Sequence, residues 1–329
     1  MRRLSCRHIV AVALTAFVCG VGASRSADAQ PYPNRLVRII VPYGPGGASD
    51  QLARAIAERL APALRQPVII ENKPGGGTII GTDYVAKAAP DGYTIGLTTF
   101  ASLVSNPLLA SSLPYRADSD FAGIGMLATS PMVMVVAPNV PARSVGEFVA
   151  YAKANPSRMN YGSSGAGSTV QLAAELFKSL AGIEMVHVPF KSSPEVLTAI
   201  NGGFIQTAFD LVITAKPQIE SGRVRALGVT DATRTALMPD VPTIAESGYP
   251  EYTATTWYGL IAPKGTPKDV IERLNAEVNR ILQDDGLRKK FADLGMELKS
   301  STPDAFMALA ASDRIKWGKI VDAQGLKPK

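Results

Sequence analysis

The chain has 329 residues, room for one large domain or two ordinary ones with enough core to dispense with disulfides. It carries 34 basic and 28 acidic side chains, a net charge of +6, and no basic tract interleaved with aromatics, which excludes nucleic acid as a partner. Its two cysteines, Cys6 and Cys19, sit near the N-terminus, so a Cys-rich metal or iron–sulfur site is excluded as well.

The N-terminus reads as a secretory signal peptide over residues 1–29. Arg2, Arg3 and Arg7 give a basic start, residues 9–23 a short apolar run, and Ala27-Asp28-Ala29 a small-x-small cleavage site before Gln30. The run is short for a transmembrane helix. Ala16-Phe17-Val18 is a poor lipobox for Cys19, so lipidation is not expected. Cleavage leaves 30 basic and 27 acidic residues, a balance of +3, with no cysteine and His187 as the single histidine.

Val37, Ile39, Ile40 and Val41 form a β-branched run, the pattern of a buried strand. Pro42-Tyr43-Gly44-Pro45-Gly46-Gly47 breaks regular structure, and a helix follows with Ser49 as its expected N-cap and Leu52, Ala55, Ile56 and Leu60 on one face. Strand, glycine loop and helix together offer an anion unpaired backbone N–H groups at the positive end of a helix dipole. Residues 67–72 read as a second buried strand ending in the glycine loop 73–77. A short helix over residues 82–88, a turn at Pro90-Asp91-Gly92 and a third strand over residues 93–98 complete a β–α–β–α–β unit. Thr98, Thr99 and Ser102 lie at that strand's C-terminal end, where open α/β sheets bind ligands.

Residues 126–137 (MLATSPMVMVVA) read as a crossover into a second lobe. A helix over residues 145–154 has Ser144 as its cap. Residues 158–180 then repeat the first pattern, with Tyr161-Gly162-Ser163-Ser164-Gly165-Ala166-Gly167-Ser168 as the loop and Leu172, Ala173, Leu176 and Phe177 as the helical stripe. Two such units aim two helix termini at one cleft. Strands over residues 185–188, 205–209 and 224–229 alternate with helices over 194–200 and 213–221, and Asp210 ends the second of these strands. Residues 252–261 read as the return crossover, and helices opened by Thr266-Pro267 and Thr302-Pro303 close the chain. The expected organisation is lobe 1 over residues 30–130 and 258–329, and lobe 2 over residues 131–257, inserted through two connecting strands that act as a hinge.

The segments VPYGPGGASDQLAR, ENKPGGG, AKAAPDGYT, YGSSGAGS, HVPFKSS and RTALMPDVPTIAESG occur in this order. In this the chain resembles the Bug family, the periplasmic solute-binding proteins of tripartite tricarboxylate transporters, from Tyr32 to its end. The resemblance implies a type II periplasmic-binding fold, two α/β lobes around a ligand cleft. It also implies a non-catalytic protein without cofactor or metal that takes a small organic carboxylate and serves membrane permease subunits, as a monomer in the periplasm. Carried onto this sequence, the first-lobe site is Tyr43, Gly46, Gly47, Ala48 and Asp50, with Thr99 and Ser102 as its wall and Gly76 approaching through its loop. The second lobe gives Ser163, Ser164, Gly165 and Ser168, with Phe190 and Asp210 at the far end. The sequence departs from the family where a hydroxyl residue is frequent at Ala48, tyrosine at Phe190, histidine at Gln171, and glycine at Thr78 and Ser192.

Several of these residues have a second reading. Asp50 either contacts ligand through water or favours the helix dipole from the first turn. Asp210 either accepts from a ligand amino group or is a strand-end turn residue, Phe190 is core or pocket wall, and His187 is a hydrogen-bonded structural histidine. Lys73 and Lys191 are solvated loop residues. Two other functions compete. A secreted serine hydrolase would use Ser163 or Ser164, but Gly162-Ser163-Ser164-Gly165-Ala166 fails the G-x-S-x-G pattern and His187 is the single available base. A ligand sensor feeding a signalling partner would use the same cleft. A nucleotide enzyme lacks its third glycine and its P-loop lysine.

Overall fold

A computed structural model describes residues 32–165, 168–190, 192–323 and 325–327. The signal peptide, Cys19, Ala166, Gly167 and Lys191 lie outside the described residues. The fold is that of the unit Arg35–Lys329.

Two sheets carry the architecture. The first contains β1 (Val37–Val41), β2 (Val68–Asn72), β3 (Thr94–Thr99) and β4 (Phe121–Ser130), with β10 (Thr256–Pro263) and β11 (Glu297–Leu298) from late in the chain, in the order β11-β4-β10-β3-β1-β2. The second contains β5 (Met132–Val136), β6 (Asn160–Ser163), β7 (Val186–Pro189), β8 (Thr207–Leu211) and β9 (Arg225–Val229), in the order β7-β6-β8-β5-β9. Each sheet has a parallel core, β2-β1-β3 in one and β7-β6-β8 in the other. Against each core lies one antiparallel strand that continues a crossing from the other sheet, β10 in the first and β5 in the second.

Helices follow the strands. α1 (Ala48–Leu64) and α2 (Ile79–Ala86) connect the first parallel strands; a π-helical turn (Ala101–Ser105) and α3 (Asn106–Leu109) follow β3. α4 (Val145–Ala154), α5 (Thr169–Ala181), α6 (Ser193–Asn201) and α7 (Val212–Glu220) belong to the second sheet's part of the chain. α8 (Lys268–Ile281), α9 (Asp285–Asp293) and α10 (Pro303–Ala323) close the sequence, and α10 returns to the first sheet. There Phe306 meets Trp257 at 5.3 Å and Trp317 meets Phe100 at 5.7 Å, all four rings buried. Both pairs pack edge to face, the arrangement that ring quadrupoles favour.

Several expectations change. The single run 126–137 is two strands, because Pro131 has no N–H to give a ladder and falls between the sheets. The strand expected over residues 67–72 is Val68–Asn72, an edge strand, half-buried and with Ile69 43% exposed, since only β1 pairs with it. α1 starts two residues earlier than a Ser49 cap implies: Gly47 is the N-cap, and no side chain caps the helix. Asp210 lies inside β8. α9 and β11 were not read from the sequence. Ser144 does cap α4, accepting from the Glu147 N–H at 3.2 Å.

Candidate functional site

Between the sheets lies a cavity of about 490 Å³. Tyr43, Gly77, Thr78, Ser105, Asn106 and Tyr258 line it from the first sheet and its loops. Ser164, Ser168, Thr169, Ser193 and Asp210 line it from the second, with Met132 at the crossing. A larger cavity of about 910 Å³ lies beside α2 and the starts of β1 and β3, among Arg35, Lys73, Asp83, Lys87 and Asp91. Its charges are already paired, Arg35 with Asp91 and Lys87 with Asp83, each at 2.8 Å. The inter-sheet cleft instead gathers hydroxyls, an amide and a helix terminus, and among its described lining residues Asp210 is the one charged side chain.

The first wall begins at the loop after β1. Gly46 takes φ +86°, which glycine adopts without steric cost. Asp50, 2% exposed, holds this loop from behind: its carboxylate accepts from the Gly46 N–H (2.9 Å), Asn72 Nδ2 (2.8 Å) and Arg54 Nε (2.8 Å). Chiefly through Arg54, the Asp50 carboxyl is lowered to about 2. Asn72 Nδ2 also donates to Tyr43 O at 3.0 Å. Asp50 is therefore spent on the loop. Gly46, Gly47 and Ala48 are exposed beyond Tyr43 and do not line the cavity.

Deeper in, the Tyr43 hydroxyl and Thr99 Oγ1 share a hydrogen bond at 2.9 Å, and burial pushes the Tyr43 phenol up. Thr99 and Ser102 are buried behind the wall. Ser102 donates to Thr78 Oγ1 at 3.0 Å, and Tyr115 donates to Ser102 O at 2.6 Å. Gly76 is exposed; the next two residues, Gly77 and Thr78, reach the cavity instead. Asn106 Nδ2 ties both to the following turn, donating to Gly77 O (2.8 Å) and Thr78 Oγ1 (3.0 Å).

The second wall is the loop after β6. Ser163 has no exposed surface, and its hydroxyl lies between Gly165 O (2.9 Å) and His187 Nε2 (2.6 Å). The His187 ring stacks on Tyr161 with centroids 4.9 Å apart. Tyr161 donates to the buried Glu175 carboxylate, whose other oxygen meets Lys178 Nζ at 2.9 Å. Burial pushes the His187 imidazole down and the Tyr161 phenol far up, the latter helped by Glu175. Ser168 donates to Gly165 O at 2.7 Å while its oxygen caps α5 at the Gln171 N–H. Ser164 and Ser168 line the cleft; Ser163 and Gly165 shape the loop behind it.

Asp210 faces the cleft at 4% exposure and accepts from Ser193, from the Leu211 N–H (2.8 Å) and from Thr214 (3.0 Å). Burial raises its carboxyl above the ordinary value. Phe190 lies away from the cleft, in a groove with Pro194, Thr198 and Phe204, because its N–H pairs with Ser163 O at the sheet edge. Of the lining residues that sequence reasoning missed, Ser193 and Asn106 sit at helix-start signals, the Ser193-Pro194 and Asn106-Pro107 pairs. Thr256, Tyr258 and Met132 carry no motif: only pairing at the crossings brings them in.

Among the described residues no helix is long and apolar enough to cross a membrane, and no group of three His, Cys, Asp or Glu is placed to hold a metal.

Residues 52–326 match the tripartite tricarboxylate transporter family receptor. Protein BugT of Bordetella pertussis is 34% identical over 314 residues, covering 95% of this chain and 96% of the relative. The solved structure of Rhodopseudomonas palustris Rpa4515 with adipate is 34% identical, with a TM-score of 0.76 over 89% of this chain and 98% of that one. MatC of the same organism, with bound malate, is 31% identical, with a TM-score of 0.72 over 88% and 100%. Both sequence and architecture place the two-lobed α/β fold among periplasmic solute-binding proteins, and the chain belongs to the tripartite tricarboxylate transporter receptor family.

Proposed function

We propose that this protein captures a small organic carboxylate in the inter-sheet cleft and delivers it to the membrane permease subunits of a tripartite transporter. It works in the periplasm as a monomer, after export by the signal peptide 1–29, and catalyses no reaction. Lobe 1 is residues 30–130 and 258–329, lobe 2 is residues 131–257, and the cleft closes about the two crossings.

The observation that carries this reading is the chemistry of the cleft wall. It offers Tyr43, Thr78, Asn106, Ser164, Ser168 and Thr169, the last opening α5, and no lysine or arginine among the described lining residues. Hydroxyls, amides and helix N-termini satisfy an anion's oxygens in fixed directions. The uncapped start of α1, just beyond Tyr43, adds free amides that reach the ligand on closure. The adipate and malate bound by the two relatives are anions of this kind. Asp210 would repel such a ligand when charged; its burial favours the neutral form and lessens that repulsion.

A hydrolase would need the Ser163–His187 contact, and the two atoms do meet at 2.6 Å. A nucleophile must also reach its substrate, and Ser163 is wholly covered. A thermal-shift screen of carboxylates, amino acids, sugars and esters separates these readings. A carboxylate at a hundredfold its Kd should add about 2.7 kcal/mol of stability without turnover. Ester hydrolysis that disappears on Ser163→Ala, with no carboxylate shift, would replace the binding role by an enzymatic one.

A further inference from the structure

Among the described residues, only Arg65 and Thr78 combine a side chain with positive φ. Arg65 ends α1 in the left-handed position common at helix C-termini. Thr78 stands at φ +85° and ψ −9°, 3% exposed, after three glycines that are also at positive φ. A β-branched residue is strained there, and glycine would hold the same backbone without strain. The backbone therefore does not account for a threonine; what its side-chain atoms meet does.

The hydrogen count at Thr78 Oγ1 is closed on all but one side. Asn106 Nδ2 donates to Gly77 O at 2.8 Å, and a carbonyl only accepts, so the amide orientation is fixed. The same NH2 group gives its second hydrogen to Thr78 Oγ1 at 3.0 Å. Ser102, fully buried, has Thr78 Oγ1 as its hydroxyl's partner at 3.0 Å; donating there avoids an unpaired buried proton. Both lone pairs of Thr78 are then filled. Its own proton has no acceptor among the described residues, and the residue lines the cleft beside Tyr43 and Asn106.

We propose that Thr78 is a specificity-determining ligand contact, whose hydroxyl, locked as a donor by Ser102 and Asn106, hydrogen-bonds an acceptor oxygen of the ligand. The assignment rests on the carboxylate-binding reading of the cleft and deepens it. At this point the ligand must present a carboxylate or carbonyl oxygen; an ammonium or an amide NH2 would set proton against proton. The strain at φ +85° is the cost of placing this donor.

The test uses the full chain and titration calorimetry with C3–C8 mono- and dicarboxylates, malate and adipate included; the tightest binder is the probe. Thr78→Gly removes the hydroxyl and should bind the probe at least about tenfold more weakly, the worth of one charge-assisted hydrogen bond; in the unliganded chain the relieved backbone offsets the Ser102 proton that it strands. Thr78→Ser keeps the hydroxyl and should restore affinity to within about threefold, well inside the worth of that bond. Undiminished binding by Thr78→Gly overturns the assignment, as does equal weakness of the Gly and Ser variants. Ser102→Ala on the Thr78→Gly background removes the stranded proton, and affinity restored by it makes Thr78 structural and overturns the assignment too. If the wild-type chain binds no member of the panel, the carboxylate reading itself falls and takes this assignment with it, a result seen before any variant is made.

Discussion

The two glycine loops at the cleft look alike in sequence and are held in different ways. The loop after β1 is braced at its rim by Asp50, Asn72 and the half-exposed Arg54. Its helix starts at Gly47 with no capping side chain, which leaves the first-turn amides free. The loop after β6 is braced from beneath by a buried column running from Ser163 through His187, Tyr161 and Glu175 to Lys178, and its helix is capped by Ser168. One loop leaves its helix terminus without a side-chain cap, and the other presents hydroxyls from a fixed platform. A helix terminus can serve an anion or its own cap, and the molecule makes one choice on each side.

The sharpest break of this contrast is Glu175→Ala. It strands the Lys178 amine, whose side chain is 12% exposed, and the buried Tyr161 hydroxyl, and should cost about 3–5 kcal/mol, read as a fall in the denaturation midpoint. Arg54→Ala, on the exposed side of the other brace, should shift the midpoint far less. Equal shifts would mean the two loops are held alike.

Gly47→Leu comes next. Gly47 has φ −74° and nothing within 4 Å of where a Cβ would stand, so the fold accepts a side chain there. Affinity for the carboxylate should nevertheless drop by about a hundredfold, the value of one or two amide bonds to a charged oxygen. Unchanged affinity would take the start of α1 out of the site.

The smallest effect is in the order of acid loosening. An unfolded His187 takes a proton near 6.5, and the folded one does so at lower pH because burial pushes it down. The unfolded state binds more protons in that window, so stability should start to fall below pH 6.5, and His187→Asn should lack this phase. Asp50 shifts in the same direction for the opposite reason, since its partners favour the charged form: with Arg54 beside it, its carboxyl stays charged down to about 2 against an ordinary 3.8. The stability it contributes above pH 3.8 should be lost as pH falls toward 2, a phase absent from Asp50→Asn. A single acid transition unaffected by either variant would contradict the two-brace picture.

Much of the frame was legible because it rests on local pattern. The β-branched run of β1, the glycine loops and the stripes of α5 and α8 announce themselves in a few residues each. The site was legible only at its loops. Tyr43, Ser164, Ser168 and Asp210 line the cleft. Phe190 does not, because a ladder bond at the sheet edge sets its direction. The column from His187 to Lys178 joins residues of β6, β7 and α5 that meet through strand pairing and helix packing, which no spacing rule contains. Thr78 was visible as an unusual residue, but its strain belongs to φ, which a sequence does not print.

Where the chain crosses between the sheets, it does so beside one residue. Thr230 gives its N–H to Met132 O at 3.0 Å, at the outgoing crossing, and takes the Ala254 N–H at 2.9 Å, at the returning one. β4 and β10 are paired from that point along the first sheet, so the two crossings leave it side by side. Both crossings are thereby tied to one residue, while α10, packed on α5, makes a separate contact between the two parts of the chain. A change at Thr230 should therefore disturb both crossings at once.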